Sequence, residues 1–232
     1  MIKIRRADDR GAVNMGWLEA KHSFSFGEYY DPDHMGFGTI RVINEDRIEP
    51  AQGFGTHGHK DMEIVTYIIE GALEHKDSMG NGSVIRAGDV QRMSAGTGVQ
   101  HSEFNHSDKD KVHLLQIWLL PERAGITPGW EEKTFSASDK HNRLRLIASR
   151  DARDGSLLIH QSLDLHATVL DEDRTVMHEL SDGHTAWIQV VSGHIEVNGE
   201  QLSAGDGAAI DNTPRLEIQA TSDAELLLFD MD

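Results

Sequence analysis

The sequence predicts an all-β protein built from two similar barrels in tandem. Three observations carry that expectation. Glycine is frequent (22 residues) and proline rare (5), so glycines cut the chain into short runs. Those runs, at 38–43, 63–71, 113–121, 186–199 and 224–231, are rich in Val, Ile, Leu, Tyr and Trp and too short for typical helices, a pattern of strands joined by turns. One order of features also occurs twice. Residues 64–93 and 186–210 each read as strand, Gly turn, strand, Ala-Gly-Asp (87–89 and 204–206), strand. A unit of that size repeated once indicates two like domains and not a solenoid.

Taken in order, residues 1–17 carry basic side chains but lack the apolar core of a secretory signal. No apolar run is long enough to span a bilayer, so a cytoplasmic protein is expected. GTIRVI (38–43) and EIVTYIIEG (63–71) read as strands, Met79–Gly82 as a turn, and HLLQIWLLP (113–121) as a further strand. The least patterned stretch is 121–142. The boundary is placed there, giving domains 1–130 and 131–232. Short helical pieces are expected around 136–142 or 150–155. Asn198-Gly199, after the run IEV, predicts a tight hairpin turn.

Composition narrows the function. The chain has no cysteine, which removes disulfides, thiolate metal sites and cysteine nucleophiles. Lys plus Arg number 22 against 39 Asp plus Glu, a formal net charge of −17. That field repels phosphate backbones and anionic membranes, so direct nucleic-acid or membrane binding is not expected.

The chemistry lies in two histidine-containing pairs. His57 and His59 are two residues apart, and in a strand such residues face the same side, roughly 7 Å apart. His101 and Glu103 repeat the spacing. If their strands are neighbours, three imidazoles and one carboxylate converge, a donor set suited to Fe, Mn, Co, Ni, Cu or Zn with positions left for substrate. With 14 histidines, a chance His-x-His is expected roughly once, so the first pair alone equally fits a solvated strand.

The frame around both pairs resembles the cupin superfamily. Its first motif is matched by His57, His59, Glu63 and Gly71, with the leading Gly displaced to 53 or 55. Its second is matched by Gly88, Ser94 in place of Pro, Gly96, His101 and Asn105, with a longer spacer before His101. More specifically, residues 24–50, 53–81 and 93–105 resemble pirin-like proteins of the quercetinase type, and the likeness continues through 115–128 and 153–161. The resemblance implies a bicupin, two tandem jelly-roll barrels, with a metal in the N-terminal barrel (1–130) and a metal-free C-terminal barrel (131–232). It implies His57, His59, His101 and Glu103 as ligands, with Glu103 also the catalytic base. Cupins in general use the motif-one Glu, here Glu63; in an unbroken strand it would share the face of His57 and His59 and could hydrogen-bond a ligand, and a salt-bridged or solvated carboxylate fits it equally well. The implied cofactor is one divalent transition metal, Fe(II) first, with Ni, Co, Mn, Cu or Zn as alternatives. The implied activity is opening of a flavonol such as quercetin by O2, with loss of carbon monoxide, by a monomer acting on a small aromatic substrate. The alternative from another class is a metal-binding regulatory protein that acts through a protein partner.

Other features are weaker. Phe24 and Phe26 alternate and precede Tyr29 and Tyr30, which fits core packing better than a substrate pocket. His75, His106, His113, His160, His166, His178, His184 and His194 are read as core or surface residues. MSAGTG (93–98) lacks the strand–loop–helix context of a phosphate loop, and no serine sits in a nucleophile elbow.

Overall fold

The computed structural model describes residues 1–232. Strands account for nearly all regular structure. They are β1 (Ile2–Arg5), β2 (Gly11–Asn14), β3 (Leu18–His22), β4 (Ile40–Ile48), β5 (Gly53–His59), β6 (Glu63–Glu70), β7 (Ala72–Asp77), β8 (Gly82–Arg86), β9 (Asp89–Ser94), β10 (Val99–Asn105), β11 (Val112–Leu119) and β12 (Gly129–Thr134). They continue as β13 (Arg145–Ser149), β14 (Leu157–Leu158), β15 (Leu163–Leu170), β16 (Thr175–Glu179), β17 (Thr185–Ser192), β18 (His194–Val197), β19 (Glu200–Ser203), β20 (Gly207–Ile210), β21 (Arg215–Ala220) and β22 (Ala224–Met231). The one α-helix, α1 (Ala137–Lys140), and a 3-10 turn at Arg153–Gly155 fall where the sequence placed short helical pieces. No helix is long and apolar enough to cross a membrane.

Two compact units form. One is Gly11–Thr134 with Leu157–Gln161, here the N-terminal barrel. The other is Met1–Arg10, Phe135–Ser156 and Ser162–Asp232, here the C-terminal barrel. The N-terminal barrel pairs a sheet ordered β12-β9-β6-β11-β4-β3-β2 with one ordered β5-β10-β7-β8. In the C-terminal barrel the corresponding runs are β1-β20-β17-β22-β15 and β16-β21-β18-β19. Strand for strand the orders match, so the internal repeat is a repeat of topology. The first strand of the chain plays in the C-terminal barrel the part that β12 plays in the N-terminal one. Ile2 pairs with Ile210, and Trp130 with Met93.

Alternation fixes what each barrel encloses. In the C-terminal barrel Ala186, Ile188, Val190, Leu216, Ile218, Leu226 and Leu228 belong to one buried aliphatic cluster. In the N-terminal barrel only part of the interior is filled this way, by Leu18, Ile48, Ile68, Leu73, Ile85 and Leu114 among others. The same strands carry polar residues further along their inner faces: Asn44 and Asp46 on β4, Thr66 on β6, His75 on β7, Gln116 on β11. The Asn198-Gly199 turn forms as expected, with φ of 48° and 89° between β18 and β19, the doubly left-handed geometry that favours this dipeptide.

Candidate metal centre

Antiparallel pairing of β5 with β10 places His57 opposite His101 and His59 opposite Val99. The register then slips, so that Glu103 lies opposite Phe54. Between those pairs β5 has one more residue than β10, a bulge at Gly55–Thr56 that re-aims the strand. Phe54 thereby lines the same cavity as His57 and His59. Gly53 permits the close strand approach, because a Cβ there would stand 2.2 Å from the Glu103 carbonyl oxygen.

The three imidazoles converge. His59 Nε2 lies 2.9 Å from His101 Nε2, which lies 3.1 Å from His57 Nε2. His57 Nδ1 lies 2.8 Å from the Gly55 carbonyl oxygen, so Nδ1 is the protonated nitrogen that donates and Nε2 keeps its lone pair. Burial, together with the neighbouring imidazoles, lowers His101 to about 3 and His59 to about 4. Both are neutral at pH 7, as ligation requires. Beside them Glu103 is buried, and its Oε1 has no hydrogen-bond partner. Burial pushes its carboxyl up to about 7, against the hydrogen bond from Gln116 that lowers it. Three imidazole nitrogens around one point, with an orphaned carboxylate oxygen lining the same cavity, fit a divalent transition ion, whose charge would relieve the burial of that carboxylate.

A buried hydrogen-bond chain sets the orientation of Glu103. Trp130 Nε1, which can only donate, bonds Gln91 Oε1 at 2.9 Å. That leaves Gln91 Nε2 facing Thr66 Oγ1 at 3.5 Å, and Thr66 Oγ1 donates to Gln116 Oε1 at 3.0 Å. Gln116 Nε2 then donates to Glu103 Oε2 at 2.8 Å. The chain ends on an acceptor, which favours the ionised carboxylate and leaves Oε1 free.

The cavity holding these groups has a volume of about 400 Å³, within the roughly 300–1,000 Å³ of small-molecule sites. Its walls are Trp17, Phe26, Phe54, Ile64 and Trp118, and it also contacts Asn44, Asp46 and Gln116. Trp118 packs edge-on against both His59 (ring centroids 4.8 Å apart) and Phe26 (5.2 Å). No Lys or Arg lines it.

All four residues singled out in the sequence line one cavity, and Glu63 is the paired carboxylate, one of the two roles the sequence left open for it. Strand parity from His57 does not carry to Glu63, because the chain turns at Lys60–Met62, with Asp61 at φ 49°, and passes from one sheet to the other. Glu63 lies on the opposite side of β6 from the cavity-lining Ile64. It is fully buried and accepts hydrogen bonds from Ser94 Oγ (3.0 Å) and the His160 backbone N–H (3.1 Å). It is a latch for the 157–161 segment. The aromatic run also divides: Phe26 lines the cavity, Phe24 is core, and Tyr30 is 72% exposed.

His75, read from the sequence as a core or surface residue, is a core residue that also borders the site. It is fully buried, stacks on Trp130, and its ligand nitrogen lies within 4.8 Å of the ligand atoms of His101 and Glu103. The available signal was alternation, since His75 shares a face with Leu73. Asn44, Asp46 and Gln116 were equally legible as polar interruptions of inward-facing rows. In the C-terminal barrel the register partner of His178 is Leu216, and that of Val176 is Ile218. These occupy the positions of His101 and Glu103 and offer no ligand atom.

Comparison with known proteins agrees with this architecture. The pirin family model matches residues 3–119, and a model described as the quercetinase C-terminal cupin domain matches residues 146–231. A quercetin 2,3-dioxygenase of Escherichia coli K12 is 50% identical over 231 residues, covering 100% of this chain and 99% of the relative. A pirin-like protein of Caulobacter vibrioides is 39% identical, with 99% of each chain covered. Among solved structures, E. coli YhhW superposes with a TM-score of 0.97 at 50% identity, covering 100% of this chain and 98% of that one. A nickel(II) complex of the bacterial pirin YhhW gives 0.96 at 49% identity, covering 100% and 99%.

Proposed function

This chain belongs to the pirin family and has its bicupin fold, and from that premise we propose that its N-terminal barrel is a metal-dependent dioxygenase that opens flavonols such as quercetin. The observation that carries the reading is the convergence of three Nε2 atoms in an aromatic-walled cavity that Glu103 also lines. His57, His59 and His101 would hold a divalent transition metal, and Glu103 Oε1 would complete the set. The nickel complex of a pirin at 49% identity supports a divalent ion there. Fe(II) is the native ion in this reading, with Ni, Co, Mn, Cu and Zn able to enter the same donors. The C-terminal barrel, whose corresponding positions are Leu216 and Ile218, acts as scaffold without metal.

When bound, the ion supplies Lewis acidity that lowers the pKa of a coordinated hydroxyl. The chain's residues do the rest. Trp17, Phe26, Phe54 and Trp118 seat a planar aromatic and exclude water. Glu103 Oε1, when not bound to the ion, takes the proton of the substrate's 3-hydroxyl, while Gln116 holds the other oxygen in place. The deprotonated flavonol is the electron-rich species that O2 attacks. The absence of Lys and Arg from the cavity weighs against sugar phosphates and other anionic substrates.

The test is oxygen-dependent quercetin loss with carbon monoxide release by protein loaded with Fe(II) or Ni(II). Wild type should turn over, and Glu103→Gln should lose at least about a hundredfold in kcat, as for removal of a positioned base. Stoichiometric metal with no turnover under any metal would reject the enzyme reading in favour of a regulatory metal protein.

A further inference from the structure

Asn44 and Asp46 line the cavity and are 3% and 5% exposed, and the Oδ1 atom of each has no hydrogen-bond partner. Their Oδ1 atoms are fully enclosed. They sit two residues apart on β4, on one face. Asn44 is opposite Gln116, the residue that holds Glu103, and Asp46 is opposite Leu114, where the aliphatic filling begins. A buried amide and a buried carboxyl thus stand between the histidine end and the apolar end, with nothing in the protein to satisfy their Oδ1 atoms.

Burying such groups unpaired is costly, so natural interiors rarely do it without water or a ligand. The side-chain atoms of Asn44 and Asp46 that face the cavity meet water there, and a ligand that displaces that water must replace its hydrogen bonds or lose affinity. A hydroxyl both donates and accepts, so it can satisfy an amide in either orientation and a carboxyl in either protonation state. A carbonyl or ether can only accept.

We propose that Asn44 and Asp46 form a second recognition point, which selects aromatic ligands bearing hydroxyls in addition to the one directed at the histidines. The inference rests on the flavonol reading and deepens it. Polyhydroxylated flavonols are then the substrate class, and the bare ring system is discriminated against. Asn44 and Asp46 are specificity residues and take no part in proton transfer.

Two probes separate this from general ring binding: quercetin, and 3-hydroxyflavone, which has the same skeleton with only the 3-hydroxyl. Dissociation constants are read by quenching of tryptophan fluorescence in Ni(II)-loaded protein without oxygen, since Trp17 and Trp118 line the cavity. Wild type should bind quercetin at least about tenfold tighter, the cost of one unpaired buried group. In Asn44→Leu and Asp46→Leu that ratio should shrink at least about fivefold, with metal content unchanged. Asp46→Asn, which keeps a group able to donate and accept, should preserve it. The proposal is overturned by a wild type with no preference, or by a ratio that both leucine variants leave untouched. If Asp46→Leu does not fold, Asn44→Leu alone decides. Turnover of both flavonols with no preference would sink this inference and leave the dioxygenase reading. Preference without turnover of either would do the reverse.

Discussion

Replacing Glu103 by Gln should make the protein without metal more stable at alkaline pH. Burial raises the Glu103 carboxyl from 4.5 to about 7, opposed by the hydrogen bond from Gln116. An acid whose pKa is raised on folding gives its full stability below the unfolded value, near pH 4.5, and loses it as pH climbs through 7. At 1.36 kcal/mol per unit, the rise amounts to roughly 3 kcal/mol at pH 8. Gln keeps an oxygen to accept from Gln116 Nε2 and carries no charge. Loss of the Glu103 charge also eases Asp46, which burial and then the charges of Glu103 and Glu45 hold up at about 7. The assay is urea denaturation of metal-stripped protein at pH 5 and pH 8, followed by tryptophan fluorescence. The advantage of the variant over wild type should grow by about 2–3 kcal/mol between the two pH values, and adding Ni(II) should reverse it by stabilising only wild type strongly. An advantage that stays constant with pH would refute the argument that an unpaired buried charge is stored here.

Three further outcomes follow from particular contacts. Glu63→Gln should keep full metal stoichiometry by elemental analysis yet lose about 1–3 kcal/mol in urea midpoint analysis, because Glu63 anchors Ser94 and His160 and does not face the cavity. Gly53→Ala should lower the urea midpoint by the equivalent of about 2 kcal/mol or more, since its Cβ would collide with the Glu103 carbonyl oxygen at 2.2 Å. Thr66→Val breaks the buried chain while matching the side chain in shape, so kcat for quercetin should fall about tenfold with metal content retained.

Much of this was legible in the sequence, for a physical reason. His57 and His59, and His101 and Glu103, each lie two apart within one strand, and strand alternation is local. Turn signals such as Asn198-Gly199 are local too. What escaped reading depends on pairing between distant segments. His75 is brought to the site because β7 lies beside β10, and Asn44 and Asp46 because β4 lies beside β11. The choice between the two roles open to Glu63 needed the fold, because parity holds only inside an unbroken strand and the chain turns between His59 and Glu63. The place of Ile2–Arg5 in the C-terminal barrel was invisible, since its partners lie some two hundred residues away.

The central claim is that His57, His59, His101 and Glu103 hold one divalent ion in the N-terminal barrel. Anomalous diffraction at the nickel edge, from crystals of the Ni(II)-loaded protein, tests it most directly. A single strong peak among the three Nε2 atoms and next to Glu103 Oε1, lost in His101→Ala, is the expected result. A peak elsewhere, or one bonded to Glu63, would contradict the account.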